Sequence, residues 1–202
     1  MAIIYPINKQ LFLGLLLAFG ISSVSFGQKL LKEAYPYKNQ VNIQTTSGYQ
    51  IAQLWKKKTV GIGKGEKQYY WYLPDSIRHT QGAYQGHLLY GPYRELYPDK
   101  SMKLLGAFKK GLQHGEWRYL DPNGTLRRIS HWKRGEEDGE YRLYDEKGKL
   151  KEQGQLDKGL KNGIISRYTD QDSLAITRQR YKHGVMVEEV KNNWFNKLKE
   201  KL

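Results

Sequence analysis

One unit of the chain reads GAFKKGLQHGEWRYLDPNGTL at residues 106–126, and the unit after it reads SHWKRGEEDGEYRLYDEKGKL at residues 130–150. Equivalent positions in the two units are 24 residues apart, and the same step continues in both directions along the chain. It relates the glycine and aromatic residues Gly91, Gly115, Gly139, Gly163, Tyr93, Trp117 and Tyr141. Self-similarity at one fixed period indicates copies of a supersecondary unit that stack on one another.

Each unit contains a turn signal between two stretches that favour β-strands. Asp121-Pro122-Asn123-Gly124 suits a tight turn, because proline presets one backbone angle and Asn-Gly tolerates positive φ. Aromatic and branched residues on both sides fit a pleated surface. Helix is disfavoured, since a glycine roughly every ten residues costs about 1 kcal/mol each in a helix interior. We therefore expect an all-β fold, an elongated meander of stacked β-hairpin repeats.

The N-terminal residues 1–27 have the three-part pattern of a signal peptide. A short start is followed by an apolar run from Leu11 to Ser25, and small residues precede a cleavage site between Gly27 and Gln28. The alternative is an uncleaved membrane anchor, although the run is slightly shorter than the roughly 20 residues that a bilayer needs. The pattern predicts an exported protein that is periplasmic or associated with the outer membrane.

The remaining chain divides into three segments. Residues 28–58 show no period and predict an irregular N-terminal lead-in, with room for one or two short strands. Residues 59–186 form the repeat array. Residues 187–202 place apolar side chains at helical steps, which predicts a C-terminal amphipathic helix. We expect this helix to cap the open end of the sheet, or alternatively to lie on a membrane surface.

Composition narrows the classes of partner. The formal net charge is +14, which favours anionic partners through long-range attraction. An exported protein rarely meets nucleic acid, so the expected partner is a protein or an anionic lipid or glycan surface in the envelope. The alternative is a charged surface that serves solubility alone. The chain has no cysteine, which excludes disulfides, thiol chemistry and a lipid anchor on cysteine.

The repeat at residues 106–126 and 130–150 resembles the bacterial variant of the MORN repeat (membrane occupation and recognition nexus). The similarity extends over roughly residues 80–188, and Ile165 departs from it at an aromatic position. Proteins of this kind are often labelled YwqK-family antitoxins and are common in the Bacteroidota. The resemblance implies a stack of β-hairpins that mediates protein or lipid contacts and is not an enzyme.

The 24-residue step also orders positive charge. Two series of basic residues follow it: Arg94, Arg118 and Arg142, and Lys103, Arg127 and Lys151. With two strands in each unit, equivalent side chains would lie about 10 Å apart along the sheet. Such ladders could bind a polyanion or a row of phosphate head groups, where arginine favours bidentate contact. The alternative is an ordinary solvated sheet face.

Other candidate residues are given structural roles. The aromatic series predicts a shared core, with stacking on sugars as the alternative. The acidic run Glu136-Glu137-Asp138 is interpreted as solvated. The five histidines lack metal-ligand spacing and no nucleophile motif is present, so no catalytic, cofactor-binding or metal-binding residues are predicted. We expect an exported, non-enzymatic repeat scaffold; an antitoxin or immunity protein is the alternative, and an enzyme is a remote one.

Overall fold

The structure is a computed structural model that describes residues 39–169 and 172–190. The sheet belongs to a structural unit that begins at Asn39. The predicted signal peptide, its cleavage site and the first part of the lead-in lie outside the described residues. Residues 191–202, most of the predicted amphipathic helix, also lie outside them.

The described residues form β-strands and contain no helix, and every strand pairing is antiparallel. The first six strands are β1 (Gln40–Thr45), β2 (Gly48–Leu54), β3 (Thr59–Ile62), β4 (Gln68–Leu73), β5 (Ser76–Gln81) and β6 (Ala83–Leu96). The next five are β7 (Met102–Lys109), β8 (Leu112–Leu120), β9 (Leu126–Lys133), β10 (Glu136–Tyr144) and β11 (Leu150–Asp157). The last four are β12 (Leu160–Lys161), β13 (Gly163–Thr169), β14 (Asp172–Lys182) and β15 (Val185–Glu189).

The strand order is simple after β6 and complex before it. From β6 to β15 each strand pairs with its sequence neighbour, except that the two-residue β12 lies beside β11 and β13 pairs with β11 directly. Before β6 the hairpin β1–β2 joins the same sheet through β6. The 14-residue β6 pairs through its first half with β3 and β4, and through its second half with β2 and β7. It therefore connects the meander to the inserted strands β3–β5.

Four hairpin turns at the same end of the strands share a backbone conformation. In each turn a basic residue with positive φ precedes a glycine with positive φ, which is what a two-residue type I′ turn requires. The pairs are Lys110-Gly111, Arg134-Gly135, Lys158-Gly159 and His183-Gly184. The glycine N–H groups of the first three donate to carbonyl oxygens of earlier strands, at Leu89, Gln113 and Glu137, over 2.7, 2.9 and 2.7 Å. These bonds tie successive turns together.

The turns at the opposite end of the strands include the one that the sequence predicted at Asp121-Pro122-Asn123-Gly124. The N–H of Gly124 donates to the carbonyl of Asp121 over 2.9 Å, and the N–H of Asp121 donates to the carbonyl of Thr125 over 2.9 Å. Asp145 and Gly148 repeat the first of these bonds at 3.1 Å. Glycine is needed in both turns, because φ is +81° at Gly124 and +78° at Gly148.

The core lies on the face of the meander that the β4–β5 hairpin covers. One cluster centres on Leu89, Tyr93, Phe108 and Trp117, and the Tyr70 ring of β4 packs 4.8 Å from that of Phe108. The backbone N–H of Tyr70 also donates to the carbonyl of the turn residue Gly111. A second cluster, on Tyr69, Trp71 and Leu88, fills the space between the inserted strands and β6.

The prediction of an all-β, antiparallel sheet of hairpins is confirmed. The lead-in contains the two short strands for which it had room: β1 and β2 pair within the sheet, and the polar run at Thr45-Thr46-Ser47-Gly48 is the turn between them. The predicted start of the amphipathic helix at Val187 is wrong. Residues Val185–Glu189 form β15, since the His183-Gly184 turn continues the hairpin pattern. Over so few residues, helical and strand spacing of apolar side chains cannot be told apart.

Candidate functional site

The register of the sheet brings Arg94, Arg118 and Arg142 into one cross-strand row. Arg94 pairs with Leu105, and Leu105 with Arg118; Arg118 pairs with Ile129, and Ile129 with Arg142. Directly opposed residues share a face of the sheet. We call these five residues the arginine row. Because neighbouring strands lie about 5 Å apart, cations and aliphatic side chains alternate along the row at that spacing. The three arginines are exposed, and the two aliphatic residues are partly buried.

Neighbouring carboxylates reduce the positive charge of the row. Arg118 Nε lies 2.6 Å from Glu116, and Arg142 lies 3.4 Å from Glu140. Each glutamate is two residues before its arginine, so both side chains lie on the same face of a strand. Arg94 has Pro92 at the same offset, and no ion pair of Arg94 is present in the described part of the chain. The pairs are exposed and are worth no more than about 1 kcal/mol each.

The second predicted series occupies a different local structure. Lys103, Arg127 and Lys151 are the extra residues of three β-bulges, where the pairing of neighbouring strands shifts by one residue. The ammonium of Lys103 lies 3.3 Å from Glu95, whose side chain is on the opposite face from Arg94. The guanidinium of Arg127 lies 3.4 Å from the turn residue Asp121. These residues therefore do not extend the arginine row into a second parallel ladder.

The repeated aromatic residues are buried. Tyr93, Trp117 and Tyr141 are 5%, 1% and 3% exposed, so their rings are closed to an external ligand such as a sugar. Each lies beside small residues of the adjoining strands, and these partners are Gly106, Ser130 and Gly154. Ile165 replaces the aromatic residue beside Gly154 and is fully buried. The small residues also follow the 24-residue step, a signal that was visible in the sequence.

The repeated glycines are required by their backbone conformation. Values of φ are +93°, +75°, +126° and +89° at Gly91, Gly115, Gly139 and Gly163. The first three lie where the register of β6, β8 and β10 with a neighbouring strand shifts, and Gly163 begins β13 after the break that follows β12. They therefore shape the sheet and carry no chemistry.

A polar network takes the place of apolar packing beside Tyr141. Glu152 accepts hydrogen bonds from the Tyr141 hydroxyl, Lys161 and Arg167, at 2.6, 2.8 and 2.7 Å. Burial would raise the pKa of Glu152, but these bonds outweigh it and the net pKa lies below the ordinary value. Burial, followed by the bond to Glu152, raises the pKa of the Tyr141 phenol. A carboxylate held ionised in this way stabilises the fold and is not a proton donor.

The acidic run at residues 136–138 is also more structural than its solvated interpretation. Both oxygens of Glu137 accept from one nitrogen of Arg128, at 2.7 and 2.6 Å, and the glutamate side chain is 17% exposed. Glu136 accepts from Lys67 at 3.1 Å, which links β10 to the start of β4. The physical reason is that the run forms the start of β10, so alternate residues face the covered side of the sheet.

Two further findings concern the described part of the chain. Its histidine and carboxylate side chains form no group of three or more placed to hold a metal ion. Residues 39–169 and 172–190 also include no helix with the length and apolar character needed to cross a bilayer.

No family model matches the chain, and no curated protein matches it. Among solved structures, it is similar to a chain in the crystal structure of accessory secretory protein 1, 2 and 3 from Streptococcus pneumoniae, at 16% identity and a TM-score of 0.28. The matched region covers 53% of this chain and 20% of the other.

Proposed function

We propose that the chain is an exported, non-enzymatic repeat scaffold whose arginine row binds an anionic surface in the cell envelope. The observation that carries the proposal is the register that aligns Arg94, Arg118 and Arg142 across strands β6 to β10. The three residues are far apart in sequence, and only the pairing of the strands makes them one surface.

The chemistry of the row fits a bilayer surface better than a bare polyanion. Each guanidinium can hold a phosphate oxygen pair, while Leu105 and Ile129 offer apolar contact between the cations. Arginine stems can also lie along such aliphatic neighbours with their charged heads outward. Anionic lipid head groups are therefore the proposed partner.

We further propose that the 24-residue unit is the structural repeat, of the MORN type. Support comes from features that recur at this step. They are the type I′ turns that begin at Lys110, Arg134 and Lys158, the bulges at Lys103, Arg127 and Lys151, and the stacking bonds donated by Gly111, Gly135 and Gly159. Such recurrence is expected of a quasi-one-dimensional array. The proposal of export is supported by the signal-peptide pattern of residues 1–27.

The proposal is tested by binding to vesicles of phosphatidylcholine with and without phosphatidylglycerol. Each basic residue near an anionic bilayer contributes about 1 kcal/mol, so the R94Q/R118Q/R142Q variant should bind the anionic vesicles at least about tenfold more weakly. The matched control is K56Q/K57Q/K58Q, which removes the same charge from an exposed loop. It should retain most of the binding.

Three results would contradict the proposal. They are absence of binding to anionic vesicles, equal binding to neutral vesicles, and equal losses in the two variants. Capture of one tightly bound toxin, with no lipid binding, would support the antitoxin alternative instead.

A further inference from the structure

A cavity of about 480 Å³ opens on the same face as the arginine row, near its C-terminal end. Its polar lining includes Arg142, Gln153, Gln155, Ser166, Arg178 and Arg180. Four of these residues form a continuous cross-strand row, because Arg142 pairs with Gln153, Gln153 with Ser166, and Ser166 with Arg178. The cavity thus spans strands β10, β11, β13 and β14.

The depression lies where two strands of the meander pair over a short ladder. Strands β11 and β13 share only the pairs Glu152–Arg167 and Gln153–Ser166, whereas β13 and β14 share a much longer ladder. The strand is interrupted between β12 and β13. Strand β13 begins at Gly163, whose φ is +89°. Gly163 lines the cavity without a side chain, and a Cβ atom on it would lie 3.8 Å from the amide oxygen of Gln155, so this part of the floor stays open.

Arg178 is the unusual residue of this lining. It is partly buried, and no ion pair or side-chain hydrogen bond of Arg178 is present within residues 39–169 and 172–190. Its backbone is fixed on both sides, by pairing with Ser166 and by a 2.7 Å hydrogen bond from the N–H of Val190. A guanidinium that is partly withdrawn from water and that makes no ion pair with a described carboxylate favours an anionic ligand.

The other two arginines retain charge for a ligand as well. Arg142 is held by Glu140 at 3.4 Å, and Arg180 is held by Glu188 at 2.7 Å, with both pairs well exposed. Exposed ion pairs of this kind are weak, so a ligand can compete for either arginine. Glu140 is the acidic residue in the lining, against three arginines.

We propose that this cavity binds a small sugar that carries an anionic group, either a phosphate or a carboxylate. Its volume is that of a small-molecule site. The arginines supply bidentate contacts to the anionic group, and the amides of Gln153 and Gln155 and the hydroxyl of Ser166 supply the donors and acceptors that sugar hydroxyls need. The proposal is for binding, and it includes no reaction of the bound sugar.

This site goes beyond the proposed scaffold function and can be tested separately. Arg178 and Arg180 lie outside the arginine row, and Arg94 lies in the row but far along the sheet from the cavity. Sequence reasoning missed Arg178 and Arg180 because they do not share the 24-residue register of Arg142. Variants R178Q and R94Q therefore separate the cavity from the row.

The experiment is calorimetric titration of the full chain with glucose 1-phosphate, glucuronate, glucose and inorganic phosphate. We expect saturable binding of at least one of the two anionic sugars, tighter than that of glucose or of inorganic phosphate. R178Q should weaken this binding by about tenfold or more, as expected for a lost charged hydrogen bond, while R94Q should leave it unchanged. If glucose 1-phosphate binds more tightly, the anionic group is a phosphate; if glucuronate binds more tightly, it is a carboxylate.

A second measurement does not depend on the fold of the variant. In the wild-type protein, backbone amide resonances of residues 153–155 and 163–166 should shift on titration, and those of residues 91–96 should not. Four results would each overturn the proposal: no saturable binding of either anionic sugar, equal binding of inorganic phosphate or glucose, equal losses in R178Q and R94Q, and shifts centred elsewhere. None of them bears on vesicle binding by the arginine row.

Discussion

The indole ring of Trp117 lies directly against Gly106, so closely that a Cβ atom on Gly106 would overlap the ring. Gly106 is also the cross-strand partner of Tyr93. A small residue at this position leaves room for the Trp117 ring, and Ser130 and Gly154 hold the equivalent position beside Trp117 and Tyr141. The alternation of large and small residues therefore builds the core of the meander.

Replacement of Gly106 by alanine should destabilise the protein by about 1–3 kcal/mol, because the added methyl group overpacks the Trp117 ring. The measurement is urea unfolding, with an unchanged slope. In a Trp117→Leu background the same replacement should cost less, since the overlapping atoms are gone. An equal cost in both backgrounds would show that the ring contact is not the cause.

Gly115 provides a contrasting case, because a Cβ atom added to it would meet no other atom within 4 Å, while its φ is +75°. Gly115→Ala should cost about 1–2 kcal/mol through backbone strain alone. Gly115→Asn should recover part of this loss, since asparagine tolerates the left-handed conformation. If alanine and asparagine are equally destabilising, strain is not the reason for glycine at this position.

The type I′ turn at Lys158 predicts a similar dependence on backbone preference. Lys158 has φ of +51°, which a β-branched residue disfavours strongly. Lys158→Val should lower the free energy of unfolding by about 1–2 kcal/mol, whereas Lys158→Asn should leave it unchanged or raise it slightly. Both variants remove the same charge, so a difference between them reports the turn. Equal stabilities would rule out the positive φ as the controlling factor.

Glu152 makes the free energy of unfolding depend on pH in the acidic range. Its folded-state pKa lies below the ordinary value of 4.5, so its stabilisation is complete above about pH 4.5 and is lost as pH falls through the lowered pKa. Glu152→Gln should therefore lower the free energy of unfolding by about 2 kcal/mol near neutral pH, with the difference from wild type shrinking below pH 4.5. Glu140→Gln is the control and should change stability by less than about 0.5 kcal/mol. A difference that is constant down to pH 3 would contradict the assigned role of Glu152.

The sequence predicted those parts of the fold that depend on local chemistry. The Asp121–Gly124 turn, the burial of Trp117 and the hairpin architecture follow from residue type and spacing. The pairing of β2 with β6 could not be predicted in this way. Strands β3 to β5 are inserted between them in the sequence, and no local signal indicates which later strand pairs with β2.

The candidate site was predictable in its alignment and less so in its charge. A strict period was enough to place Arg94, Arg118 and Arg142 in one row. The compensating glutamates were also visible, since Glu116 and Glu140 lie two residues before their arginines, but their effect depends on strand geometry. The cavity beside Arg178 could not be inferred, because it results from weak pairing between β11 and β13.

The ion pairs of the row lead to the last prediction, which is that removing acidic residues strengthens binding to anionic vesicles. Glu116 and Glu140 partly neutralise Arg118 and Arg142, so E116Q/E140Q should release both guanidinium groups toward lipid phosphates. At about 1 kcal/mol for each basic residue near the surface, binding should tighten up to about fivefold for each arginine released. The gain should shrink at high ionic strength, where the attraction is screened.

The matched control for this change is E66Q/E146Q, which alters net charge equally at exposed positions away from the row. If net charge alone governed the interaction, both double variants would bind more tightly to the same extent. A local effect requires a larger gain for E116Q/E140Q, and that gain should disappear when R118Q and R142Q are added. Measured vesicle affinities of these variants thus decide whether the row itself, and not the overall positive charge, makes the contact.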